Sequence, residues 1–235
     1  MVPMTSGSRA VMQHVLDDLQ QIFRDRLDAV VAYGWRNHAP VPSLVLVRSL
    51  TADDLSACAA RVKSWQRVGA ATPLVLTSGD FARSLDAFPI EYGDILASHY
   101  VVFGDDPFDG LTIKNDDLRR ACEVQVKSHL LHLREEFLES GGRPSAVDEL
   151  VRDSAPGFAA VLRNLARLDR SPSTTNAELV DYTTRRIGLD QRVVDDVLSM
   201  VETSSVPAVD AAKVFPAYLT AVERLADFVD QWRHS

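Results

Sequence analysis

The chain has 235 residues, of which 46% are hydrophobic and 25% charged, and its formal net charge is −8 at pH 7. This composition is typical of a globular protein with one large core or two modest ones, and it excludes a mainly disordered chain. The negative charge argues against nucleic-acid binding, because phosphate contacts need clustered Lys and Arg. The apolar runs are too short for a membrane span and the N-terminus shows no signal-peptide pattern, so the sequence predicts a soluble, cytoplasmic protein.

The first half of the chain mixes helical and extended patterns. The predicted elements are a helix at 9–25, strands at 27–33 and 43–50, a helix at 51–69, a strand at 72–77, a short helix at 78–85, and extended segments at 88–92 and 99–104. Thr51 is predicted to cap the second helix, because Asp53 and Asp54 follow in its first turn. The strand at 43–50 is apolar enough to be buried on both faces.

The second half of the chain shows helical patterns only. The predicted helices lie at 115–140, 145–168, 175–187, 190–203 and 207–232. Asn115 is predicted to cap the first of them, and Pro216 predicts a kink or a late start in the last. The predicted fold class is therefore an α/β (α+β) domain at 1–110 followed by an all-α helical bundle at 111–235.

The turn after the first strand resembles the active-site loop of nucleotidyltransferases of the polymerase-beta-like superfamily. In that superfamily a strand ends in Gly-Ser, and the next strand carries Ser-Asp-x-Asp. Here Gly34 is followed by Trp35, and Ser43 is followed by Leu44 and, two residues later, by Leu46. Leucines thus stand at the positions of both metal-binding aspartates.

A second segment resembles bacterial nucleotidyltransferase-like proteins, in which a Phe-Pro-Ile-Glu strand precedes a Gly-Glu-Asp-Pro-like turn and a long helical C-terminus. Residues 80–95, starting from Asp80 and Phe81, and residues 99–108 carry this similarity. The resemblance covers most of residues 10–140 and, more loosely, the helical tail. It implies a nucleotidyltransferase-like fold with Glu91 and Asp94 as candidates for the third acidic position, on or near a strand.

The departures from the motif decide the functional expectation. Nucleotidyl transfer needs two Mg²⁺ ions held by acidic oxygens, and leucine supplies no ligand. Gly34 would still let the backbone approach a phosphate, but Trp35 places a ring where a phosphate oxygen would lie. Arg36 follows on the loop, where it could bind an anion or simply be solvated. The sequence therefore predicts a non-catalytic homologue with a vestigial nucleotide cleft formed by Gly34, Trp35, Arg36, Ser43, Leu44, Leu46, Glu91 and Asp94.

This prediction includes no catalytic residue, no metal and no cofactor, and it expects action through an unknown protein partner or a small ligand. The alternative is an active nucleotidyltransferase that uses Mg²⁺, Glu91, Asp94 and further acids. A third hypothesis is nucleotide sensing without turnover. The helices at 115–139 and 207–232 have wide apolar faces, which are compatible with a homodimer and equally with packing inside the bundle.

Histidines and cysteines allow two further predictions. His129 and His132 share a helical face with Glu136 and could bind a metal. The flanking leucines favour a packing role for them instead. Cys58 and Cys122 each lie in an apolar helical pattern, which predicts free, buried thiols.

Overall fold

The structure is a computed structural model that describes residues 4–34, 40–171, 175–202 and 210–232. It divides into two compact units, Met1–Ile113 and Lys114–Ser235. The first unit combines a four-stranded sheet with helices, and the regular structure described in the second is helical. The predicted α/β domain followed by a helical part is thus confirmed. Each helix in the described ranges is too short or too polar to span a membrane.

The first unit is built around its sheet. Its elements are α1 (Ser6–Phe23), a 3₁₀ turn (Arg24–Arg26), β1 (Leu27–Tyr33), β2 (Ser43–Val47), α2 (Ala52–Val68), β3 (Leu74–Thr77), α3 (Ser78–Ser84), α4 (Pro89–Ala97) and β4 (His99–Gly104). The strand order is β3-β2-β1-β4, with β1 antiparallel to both neighbours and β3 parallel to β2. Because β1 and β2 are antiparallel, the end of β1 lies beside the start of β2, where Ala32 pairs with Ser43.

Helix α2 begins and ends at the residues that its sequence indicates. Thr51 Oγ1 accepts a hydrogen bond from the Asp54 backbone N–H, and the Asp54 carboxylate accepts one from the Thr51 N–H, which forms a capping box. Gly69 ends the helix at a φ of 95°, in the left-handed region. The Asp54 carboxylate also accepts two bonds of 2.7 Å from Arg26. The predicted Thr51 cap is confirmed, and it joins α2 to the turn before β1.

Both faces of the sheet are covered. Val30 and Val45 lie in one apolar cluster with residues of α1 and α2, which includes the fully buried Trp65. Val31 and Leu44, one residue away on each strand, lie in a second cluster with residues of α3 and α4. Since side chains alternate along a strand, β2 must be apolar on both sides. All five of its residues are buried, as its sequence predicts.

The segment predicted to be extended at 88–92 is a helix instead, and that prediction is wrong. Phe88 precedes α4 and Pro89 is its first residue. Proline is well placed at the start of a helix, because its fixed φ suits the first turn and its missing N–H has no intrahelical partner there. Tyr92 and Ile95 are buried in the apolar cluster that covers one face of the sheet, so α4 packs against that face.

The second unit packs around its second helix. Its described helices are α5 (Asn115–Ser140), α6 (Pro144–Leu168), α7 (Asn176–Arg186), α8 (Gln191–Glu202) and α9 (Ala211–Gln231). Helix α6 contacts the other four. Residues such as Val151, Phe158 and Leu162 are almost fully inaccessible along it. The predicted free cysteines are also confirmed, since Cys58 and Cys122 are buried and unbridged.

Two local predictions in this unit need correction. Asn115 is the first residue of α5 and not its cap, because Lys114 occupies the capping position without a side-chain bond. Helix α9 begins at Ala211, so the alternative of a late start at Pro216 is wrong. Asp210 caps α9 instead, with its side chain accepting from the Lys213 N–H.

Candidate functional site

Leu44 and Leu46, which are predicted from the sequence resemblance to stand at the positions of the superfamily aspartates, lie inside an apolar cluster. Leu44 is 0% exposed and Leu46 is 3% exposed. The cluster around them contains Phe81 of α3, Tyr92 of α4 and Phe108. The Phe81 ring meets the Tyr92 and Phe108 rings edge-on, with centroids 5.2 and 5.3 Å apart. The face of β2 that carries Leu44 and Leu46 is therefore packed with hydrocarbon.

The other residues of the predicted cleft near β1 and β2 are only partly brought together. Gly34 follows β1 with a φ of 62°, which is the left-handed conformation that glycine adopts readily. Trp35 and Arg36 lie outside the described residues. Ser43 is buried, and its alternation with Leu44 places it on the opposite face of β2. Its hydroxyl has no hydrogen-bond partner within the part of the chain that the structure describes.

A cavity of about 730 Å³, here called the α3–α4 cavity, lies beside the leucine cluster, between β3, α3 and α4. Its apolar wall is formed by Tyr33, Leu74, Leu76, Phe88, Tyr92 and Ile95. Leu74 and Phe88 remain 44% and 52% exposed. A mostly apolar recess of roughly 300–1,000 Å³ is typical of small-molecule sites. The cavity is thus the candidate functional site of the first unit.

Four charged side chains also line the α3–α4 cavity: Asp80, Arg83, Glu91 and Asp94. The Asp80 carboxylate accepts bonds of 2.6 Å from the Thr77 hydroxyl and from the Arg83 guanidinium. The Thr77 hydroxyl bond is the main cause that holds the pKa of Asp80 below its ordinary value, and the Arg83 charge adds to it. Glu91 and Asp94 are three residues apart on α4, and such residues share a helical face. They lie on a helix and not on the predicted strand.

Two tyrosines, Tyr33 and Tyr92, contribute phenol groups to the wall of the cavity. The Tyr92 hydroxyl lies 2.7 Å from the Ser84 hydroxyl, which orients the ring. Burial raises the pKa of Tyr33, so its phenol stays neutral at physiological pH. Tyr33 is the last residue of β1 and directly precedes Gly34. The α3–α4 cavity therefore adjoins the turn at which the superfamily loop is predicted.

Comparison with known proteins bears on the fold of the chain. No family model and no curated protein sequence matches the chain. Among solved structures, it is similar to the crystal structure of spectinomycin adenyltransferase AAD(9) from Enterococcus faecialis with ATP and spectinomycin. The TM-score is 0.59 at 10% sequence identity, and the match covers 92% of this chain and 98% of that chain. The chain has a nucleotidyltransferase-like fold.

The residues at the expected metal positions do not fit a pair of Mg²⁺ ions. Hard divalent cations take oxygen ligands, and the buried side chains of Leu44 and Leu46 present only carbon. Glu91 and Asp94 supply carboxylates on α4, away from the strand on which the superfamily carries its ligands. Within the described ranges, no three His, Cys, Asp or Glu side chains are grouped so that they could hold a metal ion.

Sequence reasoning missed Asp80, Arg83 and Phe88 as residues of the site. Two local signals were available. Thr77 and Asp80 have the Thr-x-x-acid spacing of a helix start, and Pro89 marks a first helical turn after Phe88. The first signal agrees with the short helix predicted at 78–85, and the second would have replaced the extended segment predicted at 88–92 with a helix. The cavity itself has no local signal, because it depends on the packing of residues far apart in the chain.

Of the two histidines considered as metal ligands, His129 and His132, the first is packed inside the second unit. His129 Nε2 lies 2.7 Å from the Tyr218 hydroxyl, and its ring stacks beside Phe158. Burial is the main cause that lowers the pKa of His129 to about 4, so the ring is neutral at pH 7. His132 is exposed. The pair thus divides between a buried hydrogen bond and the surface.

Proposed function

We propose that the protein is a non-catalytic nucleotidyltransferase homologue that acts by binding a small ligand in the α3–α4 cavity. The observation that carries this proposal is the burial of Leu44 and Leu46 in the apolar cluster. Loss of carboxylates alone would leave an open cleft with weaker metal affinity. Here the same positions pack against Phe81 and Tyr92, so the strand face contributes to the stability of the fold.

The chemistry of nucleotidyl transfer supports the same conclusion. The reaction needs carboxylate-held Mg²⁺ to neutralise the triphosphate and to activate the attacking oxygen. Leu44 and Leu46 supply no carboxylate for this purpose, because their buried side chains are hydrocarbon.

The test is calorimetric titration of the protein with a panel of nucleoside triphosphates, first with Mg²⁺ and then with a chelator. We expect no metal-dependent binding tighter than about 100 μM, which corresponds to roughly 5.5 kcal/mol. Tighter metal-dependent binding would contradict the proposal. It would support the alternative of an active nucleotidyltransferase that uses Mg²⁺, Glu91 and Asp94. Binding that survives the chelator would keep the non-catalytic assignment and identify a nucleotide as the ligand.

A second candidate function is association of two copies through α5, and one observation favours it. Val124, Leu131 and Leu138 are large, exposed hydrophobic residues at a spacing of seven. Residues seven apart lie on the same face of a helix, and a symmetric pair of helices could bury such a row. We expect the chain to sediment as a dimer and Leu131→Glu to yield a monomer. Leu55→Glu, at an exposed leucine on α2, is the matched control and should leave the dimer intact. A wild-type chain that is still monomeric at 100 μM, a concentration that corresponds to an association free energy of about 5.5 kcal/mol, would contradict this candidate.

A further inference from the structure

We propose that the α3–α4 cavity binds a small molecule with an apolar body and one hydrogen-bond acceptor, such as an aryl ketone, and that the Tyr33 hydroxyl donates to this acceptor. The inference rests on the proposed function, since it names the ligand class of the same site. Two features of the cavity lining carry it: an extensive apolar wall, and a phenol within that wall that has a hydrogen to donate.

The apolar wall sets the first property of the ligand. Leu74 and Phe88 are 44% and 52% exposed, while Tyr92 and Ile95 are buried. A ligand that covers the two exposed side chains removes apolar surface from water, which favours binding. The cavity volume of about 730 Å³ suits a small molecule. The body of the ligand is therefore apolar.

The position of Tyr33 sets the second property. Its side chain packs against the apolar cluster on the face of the sheet that α3 and α4 cover. Burial alone raises the pKa of Tyr33, with no contribution from a hydrogen bond or a charge. Among the described residues, the fully inaccessible side-chain polar atoms without a partner are Ser43 Oγ and Thr184 Oγ1, so the Tyr33 hydroxyl can still be reached. A hydroxyl in apolar surroundings gains stability when a ligand supplies its hydrogen-bond partner.

The other two hydroxyls of the cavity lining are already engaged with each other. The Ser84 hydroxyl donates to the Phe81 carbonyl oxygen at 3.0 Å and lies 2.7 Å from the Tyr92 hydroxyl. Because the Ser84 hydrogen goes to the carbonyl, the Tyr92 hydroxyl donates to the Ser84 oxygen and has no second hydrogen for a ligand. The Tyr33 hydroxyl keeps its hydrogen. A phenol donates better than it accepts, since its oxygen lone pair is delocalised into the ring, so the matching ligand group is an acceptor.

The experiment compares three probes by NMR titration of the wild-type chain at pH 7: acetophenone, toluene and acetone. Acetophenone has both the apolar body and the acceptor, toluene has only the body, and acetone has the acceptor with little body. We expect acetophenone to bind about fivefold more tightly than toluene, which corresponds to about 1 kcal/mol, and acetone to show no saturable binding. A wall without a donor would give the opposite order for the first two probes, because burying an unpaired carbonyl costs free energy.

Two variants locate the bound probe and test the hydrogen bond. Tyr33→Phe removes only the hydroxyl, so it should weaken acetophenone about fivefold and leave toluene unchanged. Tyr100→Phe is its matched control, because Tyr100 packs against the cluster on the opposite face of the sheet. Phe88→Ala should weaken acetophenone and toluene alike, and Leu55→Ala, at an exposed leucine on α2, should weaken neither.

Several results would overturn the inference. They are tighter binding of toluene than of acetophenone to the wild-type chain, no binding of acetophenone to the folded wild-type chain, an equal effect of Tyr33→Phe on both probes, and no effect of Phe88→Ala. The first two need no variant, so they remain decisive if a variant fails to fold. The nucleotide titration is separate: a failed ketone titration leaves the non-catalytic assignment standing, whereas metal-dependent nucleotide binding removes that assignment.

Discussion

Restoring an aspartate at Leu44 tests the central structural argument. If the leucine cluster is a packed core, Leu44→Asp will destabilise the first unit and will not recover a metal site. If the cluster is a solvated cleft that merely lost its ligands, the same change will be tolerated. The position is decisive because Leu44 is 0% exposed and pairs with Val31 on β1 and Leu74 on β3.

The size of the effect has two parts. Removal of a fully buried leucine side chain costs about 2–5 kcal/mol, as expected for Leu44→Ala. An aspartate at this position also places a carboxyl group among hydrocarbon, which raises its pKa above the ordinary value of about 3.9. Each unit of that rise costs about 1.4 kcal/mol at pH 7. A rise to about 6 would add about 3 kcal/mol, for a total of about 5–8 kcal/mol.

The assay is urea unfolding of the wild type, Leu44→Ala and Leu44→Asp at pH 7 and pH 5, followed by circular dichroism. A carboxyl whose pKa is raised in the folded state destabilises the fold less at low pH, where it is protonated. The difference in unfolding free energy between Leu44→Asp and Leu44→Ala should therefore shrink as the pH falls. Leu55→Asp on α2 is the matched control, because Leu55 is 49% exposed and the change should cost less than about 1 kcal/mol. The reasoning is refuted if Leu44→Asp is as stable as this control, or if it binds Mg²⁺ with an unchanged unfolding midpoint.

Three further predictions concern stability. Burial lowers the pKa of His129 to about 4 from 6.5. The contribution of the neutral ring to the stability of the second unit is therefore complete above pH 6.5, and about 2 kcal/mol of it should be lost by pH 5. In urea unfolding at several pH values, the unfolding free energy of His129→Asn should fall less between pH 7 and pH 5 than that of the wild type. Gly104→Ala should cost more than about 2 kcal/mol, because its φ is 76° and a Cβ would collide with the Asp28 carbonyl oxygen. Gly110→Ala is the control, because Gly110 has a similar φ of 72° but open space around an added Cβ. If the two variants lower the melting temperature equally, the collision at Gly104 is excluded. Trp65→Phe should lower the free energy of unfolding in chemical denaturation by about 1–3 kcal/mol, because the buried indole N–H donates a hydrogen bond of 2.9 Å to the Asp18 carboxylate. An unchanged free energy of unfolding would show that this bond makes no net contribution to stability.

Several features of the fold follow from local sequence. The spacing of apolar residues predicts α1, α2 and the five helices of the second unit, and Thr51 predicts the capping box. The continuous apolar run of β2 predicts a strand buried on both faces. The prediction that Leu44 and Leu46 stand where the superfamily carries its aspartates rests on the sequence resemblance alone. These features depend on neighbours within a turn of helix or within one strand, and that is the range over which a sequence pattern acts.

The tertiary structure alone decided where the candidate site lies. The apolar residues after Phe88 suit a strand or a helix equally well. Pro89 favours a helix start, and the packing of Tyr92 and Ile95 on the sheet decides where α4 lies. The α3–α4 cavity joins Tyr33, Leu74 and Glu91, which are far apart along the chain. They meet because β3 lies parallel beside β2 and because α3 and α4 then cover the same face. Long-range contacts of this kind are set by the packing of whole elements, and no local spacing encodes them.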